Sequence, residues 1–90
     1  DIDRIARDKL DERYPGAFGH GLGHGVGMYI HESPTVSFRS EETLRPGHII
    51  TIEPGVYLAG KYGVRIEDML AVTETGAINI TKAPKNLIEI

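Results

Sequence analysis

The sequence predicts an α+β fold in which one helix is followed by an antiparallel run of strands. Three observations predict it: apolar residues at helical spacing near the start, later runs rich in β-branched residues, and Pro-Gly pairs beside those runs. With 90 residues, 40% of them hydrophobic and 26% charged, the chain has the length and composition of one small globular domain.

An amphipathic helix is predicted over residues 1–13. Its apolar side chains recur every three or four residues, and its charged side chains fall mainly between them. The helix should end at Tyr14-Pro15-Gly16, because proline and glycine disfavour a helix interior. The apolar residues are Ile2, Ile5, Ala6 and Leu10, and the charged residues between them are Asp3, Arg4, Asp8 and Glu12.

Strands are predicted over residues 48–53, 56–58, 64–73 and 77–81. The run 64–73 alternates as one continuous strand, with Val64, Ile66, Asp68, Leu70 and Val72 on one face and Arg65, Glu67, Met69, Ala71 and Thr73 on the other. The run 34–46 is polar and leads to a turn at Pro46-Gly47, and the segment 83–87 is interpreted as a short closing turn. The glycine-rich segment after the helix is predicted to be extended and irregular, since glycine is costly in a helix.

Composition excludes several classes of function. The net charge is −3 and no basic stripe is present, so we expect no nucleic-acid partner. No apolar run approaches the roughly 20 residues that span a bilayer, so we expect no membrane partner. The chain has no cysteine, so a metal must be held by nitrogen and oxygen. This composition fits a reducing compartment, and we expect a cytoplasmic protein. Because the sequence opens on Asp1 within a helical pattern, we expect a piece of a longer protein.

Residues 19–34 hold three of the four histidines, with glycine at every second position from 19 to 27. Histidine is a common metal ligand, and glycine lets the chain approach a small object closely. The alternative is that these histidines are exposed on the surface or are hydrogen-bonded within the core. It is disfavoured because a segment so rich in glycine has few side chains to pack in a core. His20 and His24 can share a face, whereas His31 needs a bulge or bend to join them. The fourth histidine, His48, is interpreted as structural or exposed.

Two carboxylates follow on later predicted strands. Glu53 ends an apolar strand, where it is either solvated or turned toward a site. Arg65 and Glu67 share one face, either as a surface ion pair or as part of a site. Because Asp68 occupies the opposite face, burial of either face buries a charge that needs a partner. A metal near Glu67 would meet that need.

Imidazole and carboxylate donors without a thiol suit manganese, cobalt, iron or zinc. Two carboxylates that are able to bridge favour a pair of metal ions. Two such ions can share a hydroxide nucleophile and polarise a carbonyl. The remaining histidines could then donate hydrogen bonds to a substrate oxygen and to a tetrahedral intermediate.

Three blocks occur in order along the chain: GHGLGHGVG with HESP at 19–34, TIEPGVY at 51–57, and GVRIED at 63–68. Together they resemble the pita-bread metallopeptidases, which include the methionine aminopeptidases, aminopeptidase P and prolidase. The likeness extends to LRPG at 44–47 and TKAPKNL at 81–87. The additional His20 and the block around Arg65 are similar to the Xaa-Pro branch, aminopeptidase P and prolidase. The resemblance implies the C-terminal half of a pita-bread fold, with a curved antiparallel sheet.

The resemblance also implies roles. His24, Glu53 and Glu67 would be ligands of two divalent metal ions, with manganese favoured over cobalt, zinc or iron, and Glu67 would bridge both ions. His31 would bind substrate and stabilise the intermediate, and His20 would line the substrate pocket, so both histidines count as catalytic and substrate-binding residues. Arg65 would orient Glu67 and nearby groups and is placed with the substrate-binding residues. Glu53 would also act as general acid or base on a metal-activated water.

The implied activity is hydrolysis of the peptide bond before proline, by an Xaa-Pro aminopeptidase or dipeptidase, with a proline-containing peptide as substrate. Residues 1–90 would form the C-terminal part of the catalytic domain. Two further ligands of the family's site are aspartates from the preceding half, so this chain alone should bind metal weakly and be inactive. Unpaired strand edges make a homodimer an expectation. The alternatives are a non-catalytic peptide-binding module on this fold and an unrelated small metal-binding domain.

Overall fold

A computed structural model describes residues 2–90 and confirms the α+β class. Asp1, where the predicted helix begins, lies outside the described residues. Within that range, no helix combines the length and apolar character needed to cross a bilayer. The elements are α1 (Ile2–Asp11), β1 (Gly23–Gly25), β2 (Glu32–Val36), β3 (Ile49–Ile52), β4 (Gly55–Leu58), β5 (Tyr62–Arg65), β6 (Asp68–Val72) and β7 (Ala77–Asn79).

The strands form two antiparallel sheets. The larger sheet has the order β2-β1-β3-β6-β7, and the hairpin β4-β5 forms the smaller one. Strand β3 is central, pairing Gly25 with Ile50 on one side and Ile50 with Leu70 on the other. Its apolar residues join a core of Phe18, Leu22, Val36 and Ile50, against which Ala6, Leu10, Leu44, Ile52, Leu70 and Val72 pack.

The single strand predicted over 64–73 is wrong. The chain forms β5, leaves the hairpin at Ile66 and Glu67, and enters the larger sheet as β6. The Ile66 amide donates to the carbonyl of Pro54 at 3.3 Å, so the two crossings between the sheets lie side by side. Alternation depends only on neighbouring residues, so it carries no information about which strands pair. Here β5 pairs with β4, while β6 pairs with β3.

The division of residues 64–73 into two faces therefore fails as well. Arg65 and Glu67 are exposed, whereas Asp68 is partly buried beside Lys85, whose ammonium lies 2.7 Å from its carboxylate. That hydrogen bond holds the pKa of Asp68 below its usual range. The strand β2 was also missed, since its polar residues gave no strand signal and its pairing with β1 supplies the structure.

The buried face of α1 differs from the predicted one. Ile2 and Ile5 are 46% and 71% exposed, whereas Asp3 is only 1% exposed. Ala6 and Leu10 pack against the core as predicted, but Asp3 joins them in place of Ile2 and Ile5, so the buried stripe is rotated toward Asp3. A buried carboxylate is stable here because Arg7, one turn later, pairs with it.

Strand β1 approaches its neighbours too closely for side chains at its ends. A Cβ at Gly23 would overlap the carbonyl of Thr51, and one at Gly25 would overlap the carbonyl of Ser33. Glycine is therefore required sterically at both positions. The close approach fixes His24, the residue between them, at the level of the end of β3.

Replacing Gly23 with alanine should destabilise the protein, because strands β1 and β3 must move apart to admit the methyl group. We expect the free energy of unfolding to fall by about 1–3 kcal/mol, measured by urea-induced unfolding. Gly19→Ala is the matched control, since a Cβ there meets no atom within 4 Å. Equal stability of the two variants would contradict the steric argument.

Candidate metal and substrate site

A histidine and a glutamate face each other where β1 meets the end of β3. Nε2 of His24 lies 3.1 Å from Oε1 of Glu53, and the two side chains are 18% and 13% exposed. Their backbones are tied to the same sheet: the Glu53 amide donates to the Leu22 carbonyl at 2.7 Å, and the His24 amide donates to Oγ1 of Thr51 at 3.1 Å. The pair is thus set by strand pairing.

The hydrogen bonds of His24 define its tautomer. Its Nδ1 lies 2.9 Å from the carbonyl of Gly25, which only accepts, so Nδ1 carries the proton. In the neutral ring, Nε2 then carries a lone pair that points toward Oε1 of Glu53. Two acceptors this close repel each other unless a cation binds both or the ring is protonated. Imidazole and carboxylate are also the donor types of manganese and zinc sites, so the pair fits a divalent metal ion.

A β-bulge brings His31 to this pair. The register of β1 against β2 shifts between His24 and Gly25, which pairs with Glu32. As a result the rings of His24 and His31 lie 4.2 Å apart at 45°. As predicted, a break in the regular strand register brings His31 to His24. His20, which was expected to share a face with His24, contacts Phe18 and Tyr57 instead.

His20 belongs to a second group of polar side chains. Its Nδ1 lies 2.7 Å from the carbonyl of Gly21, which makes Nε2 an acceptor for the hydroxyl of Tyr57 at 2.9 Å. That hydroxyl in turn accepts a hydrogen bond from Nε of Arg65 at 2.6 Å. In this series of hydrogen bonds, which runs from Arg65 through Tyr57 and His20 to the Gly21 carbonyl, each acceptor identifies the atom that carries the shared proton.

Arg65 connects the two groups. Its Nη1 lies 3.7 Å from Oε2 of Glu53, while its Nε binds Tyr57. The Tyr57 hydroxyl raises the pKa of Arg65, and the carboxylates of Glu53 and Glu67 raise it further. The guanidinium thus remains a fixed positive charge beside Glu53.

Glu67 does not join the histidine–glutamate pair. Its side chain is exposed in the connection between β5 and β6, and it acts on Arg65 through its charge. Across residues 2–90, no three His, Cys, Asp or Glu side chains are arranged to hold a metal ion. The ligand roles of His24, Glu53 and Glu67 stay predictions.

Two residues of the site were missed from the sequence. Tyr57 closes the TIEPGVY block but had no role assigned, and its hydroxyl joins Arg65 to His20. Thr51 is 2% exposed and its hydroxyl lies 3.3 Å from Oε1 of Glu53. Thr51 and Glu53 are two residues apart and so fall on one face of an extended chain, which was the available signal. His48 is half-buried and accepts a hydrogen bond from the Arg45 amide, in line with a structural role.

The fold and this site define a class that comparison with known proteins identifies. The sequence profile of metallopeptidase family M24 matches residues 1–74. The chain is 47% identical over 89 residues to the Xaa-Pro dipeptidase of Pyrococcus furiosus, covering 98% of this chain and 26% of that protein. It superposes on the solved Xaa-Pro dipeptidase from Bacillus anthracis with a TM-score of 0.91 and 49% identity, covering 96% of this chain and 24% of that one.

A third comparison concerns an X-Pro aminopeptidase from Thermotoga maritima. It matches with a TM-score of 0.89 and 41% identity, over 94% of this chain and 24% of that one. The chain belongs to metallopeptidase family M24, and the predicted pita-bread fold is confirmed. Membership of a metallopeptidase family implies divalent metal ions. The chain spans about a quarter of the length of the relatives it matches.

Replacing Thr51 with valine tests how the histidine–glutamate pair is held. The isosteric side chain leaves the His24 amide without its acceptor, so we expect the free energy of unfolding to fall by about 1–3 kcal/mol in urea-induced unfolding. Thr51→Ser keeps the hydroxyl and should retain most of that stability. Equal losses in the valine and serine variants would show that the hydroxyl is unimportant.

Proposed function

We propose that this chain is the C-terminal part of the catalytic domain of a metal-dependent Xaa-Pro dipeptidase or aminopeptidase, which hydrolyses the peptide bond before proline. The observation that carries the proposal is the contact between Nε2 of His24 and Oε1 of Glu53, two acceptors that a cation would join. The names of the similar proteins, Xaa-Pro dipeptidase and X-Pro aminopeptidase, support the same substrate class.

His24, Glu53 and Glu67 would hold two divalent metal ions, with manganese favoured over cobalt, zinc or iron. When bound, such ions supply an activated water and polarise the scissile carbonyl. Support for Glu67 comes from the GVRIED block and from the closeness that lets its charge act on Arg65. Arg65 would keep the Glu53 carboxylate in place through its fixed positive charge.

The remaining groups have roles that follow from their positions. Glu53 would take a proton from the attacking water on its carboxylate and return it to the proline nitrogen as the bond breaks. The exposed ring of His31, beside His24, would donate a hydrogen bond to the substrate oxygen as negative charge develops there. His20, with its ring against Tyr57, would line the pocket for the substrate.

The partner in this proposal is a proline-containing peptide. A cytoplasmic location and a homodimer stay predictions.

Activity is tested on the full-length protein that carries this chain, loaded with manganese and supplied with matched Xaa-Pro and Xaa-Ala dipeptides and an Xaa-Pro tripeptide. We expect turnover of the proline peptides only. His24→Ala and Glu53→Gln should each lower kcat/KM by more than about 100-fold, because each removes a metal-binding atom. His48→Gln, outside the site, is the control and should leave kcat/KM unchanged. Peptide binding without turnover under every metal would favour a non-catalytic peptide-binding module instead.

The isolated 90-residue chain should bind metal weakly and be inactive. Of the three predicted ligands, only His24 and Glu53 face each other within the described residues, and two ligands hold a divalent ion poorly. Calorimetric titration with manganese and an Xaa-Pro peptide assay measure both properties. Nanomolar affinity or turnover by this chain would contradict the expectation.

A further inference from the structure

A buried ion pair on α1 lies outside the groups assigned above. The Asp3 side chain is fully buried and that of Arg7 is 21% exposed. Nε of Arg7 donates to Oδ2 of Asp3 at 3.0 Å, and Nη2 donates to Oδ1 at 3.2 Å. Such a pair is costly to bury unless its other donors and acceptors are also used.

The same two side chains also bind the backbone of the glycine-rich segment. Nη1 of Arg7 donates to the Phe18 carbonyl at 2.6 Å, and Nη2 donates to the His20 carbonyl at 2.8 Å. Oδ1 of Asp3 accepts from the Leu22 amide at 2.9 Å. These three backbone groups belong to alternate residues of an irregular segment that precedes β1, so the ion pair supplies hydrogen-bond partners where the chain is not part of a strand.

The other edge of the same segment is bound to the catalytic side of the molecule. The Ala17 carbonyl accepts from the Tyr57 amide at 3.0 Å, and the Leu22 carbonyl accepts from the Glu53 amide at 2.7 Å. Residues 17–22 are therefore held from both edges. His20 lies in the middle of this segment, and its carbonyl is one of the groups that Arg7 binds.

Packing then restricts that side chain. The Phe18 ring meets the His20 ring edge-on at 4.9 Å. The Arg7 guanidinium in turn lies over the rings of Phe18 and Phe38, at 4.4 Å and 4.6 Å from their centroids. Arg7 thus contacts both the backbone of His20 and the aromatic ring that orients it.

We propose that Asp3 and Arg7 are positioning residues for His20, which keep its Nδ1 protonated and its Nε2 directed at Tyr57. With respect to substrate, this inference rests on the proposed function, in which His20 lines the peptide pocket. A planar guanidinium with five donors can bind Asp3 and two carbonyls at once. A lysine ammonium at the same position keeps the charge and loses this simultaneous geometry.

The test is Arg7→Lys in the full-length protein, with two measurements. Nitrogen NMR of selectively labelled histidine in the metal-free protein reports the His20 tautomer, which should change from a single Nδ1-protonated form to a mixture. Steady-state kinetics on an Xaa-Pro dipeptide should show KM rising about 10-fold with kcat little changed, as expected for lost substrate binding. Arg4→Lys is the matched control, because the Arg4–Asp8 pair on the same helix is 77% and 70% exposed, and it should change neither.

Asp3→Asn provides a second variant if Arg7→Lys fails to fold. Its amide oxygen still accepts from the Leu22 amide, while the charge that holds Arg7 is lost, so smaller changes in the same direction are expected. An unaltered His20 tautomer and KM in a folded variant, with only stability reduced, would overturn the proposal. The NMR measurement of the His20 tautomer does not require the protein to be enzymatically active. If the wild-type protein fails to cleave Xaa-Pro peptides, the proposed function fails and the tautomer still decides the role of Arg7.

Discussion

The close approach of β1 to β3 is the constraint on which the site depends. It brings the backbone of Gly23 against that of Thr51 and leaves no room for a side chain between them. His24 is then held one residue further on, with its ring opposite Glu53. Strand separation, a property of the backbone, thus sets the distance between two side chains that carry chemistry. The high glycine content of this segment reflects the need for the strands to approach each other closely.

The overall class and much of the site were predictable from the sequence because they depend on local patterns. Histidines among glycines at 19–34, and a glutamate at the end of an apolar strand, are both visible within a few residues of sequence. The bulge beside His24 was also predictable, since His31 sits at the wrong parity for a regular strand. The family resemblance was carried by the same short blocks, and the comparison confirmed it.

What escaped prediction depends on partners distant in sequence. The alternation in residues 64–73 is genuine, but the division between two sheets is decided by β3 and β4. The burial of Asp3 depends on Arg7 and on the backbone of residues 18–22. A charged side chain therefore occupies part of the buried helix face, where only apolar residues were expected. The role of Tyr57 arises only when the β4-β5 hairpin brings Arg65 alongside it. None of these pairings leaves a periodic trace in the sequence.

The two crossings between the sheets have a mechanical consequence. Glu53 precedes the turn that leaves the larger sheet, Glu67 lies on the return, and the bond from the Ile66 amide to the Pro54 carbonyl ties the two paths together. Because this hydrogen bond joins the residue after Glu53 to the residue before Glu67, a backbone shift at one carboxylate is passed directly to the backbone at the other.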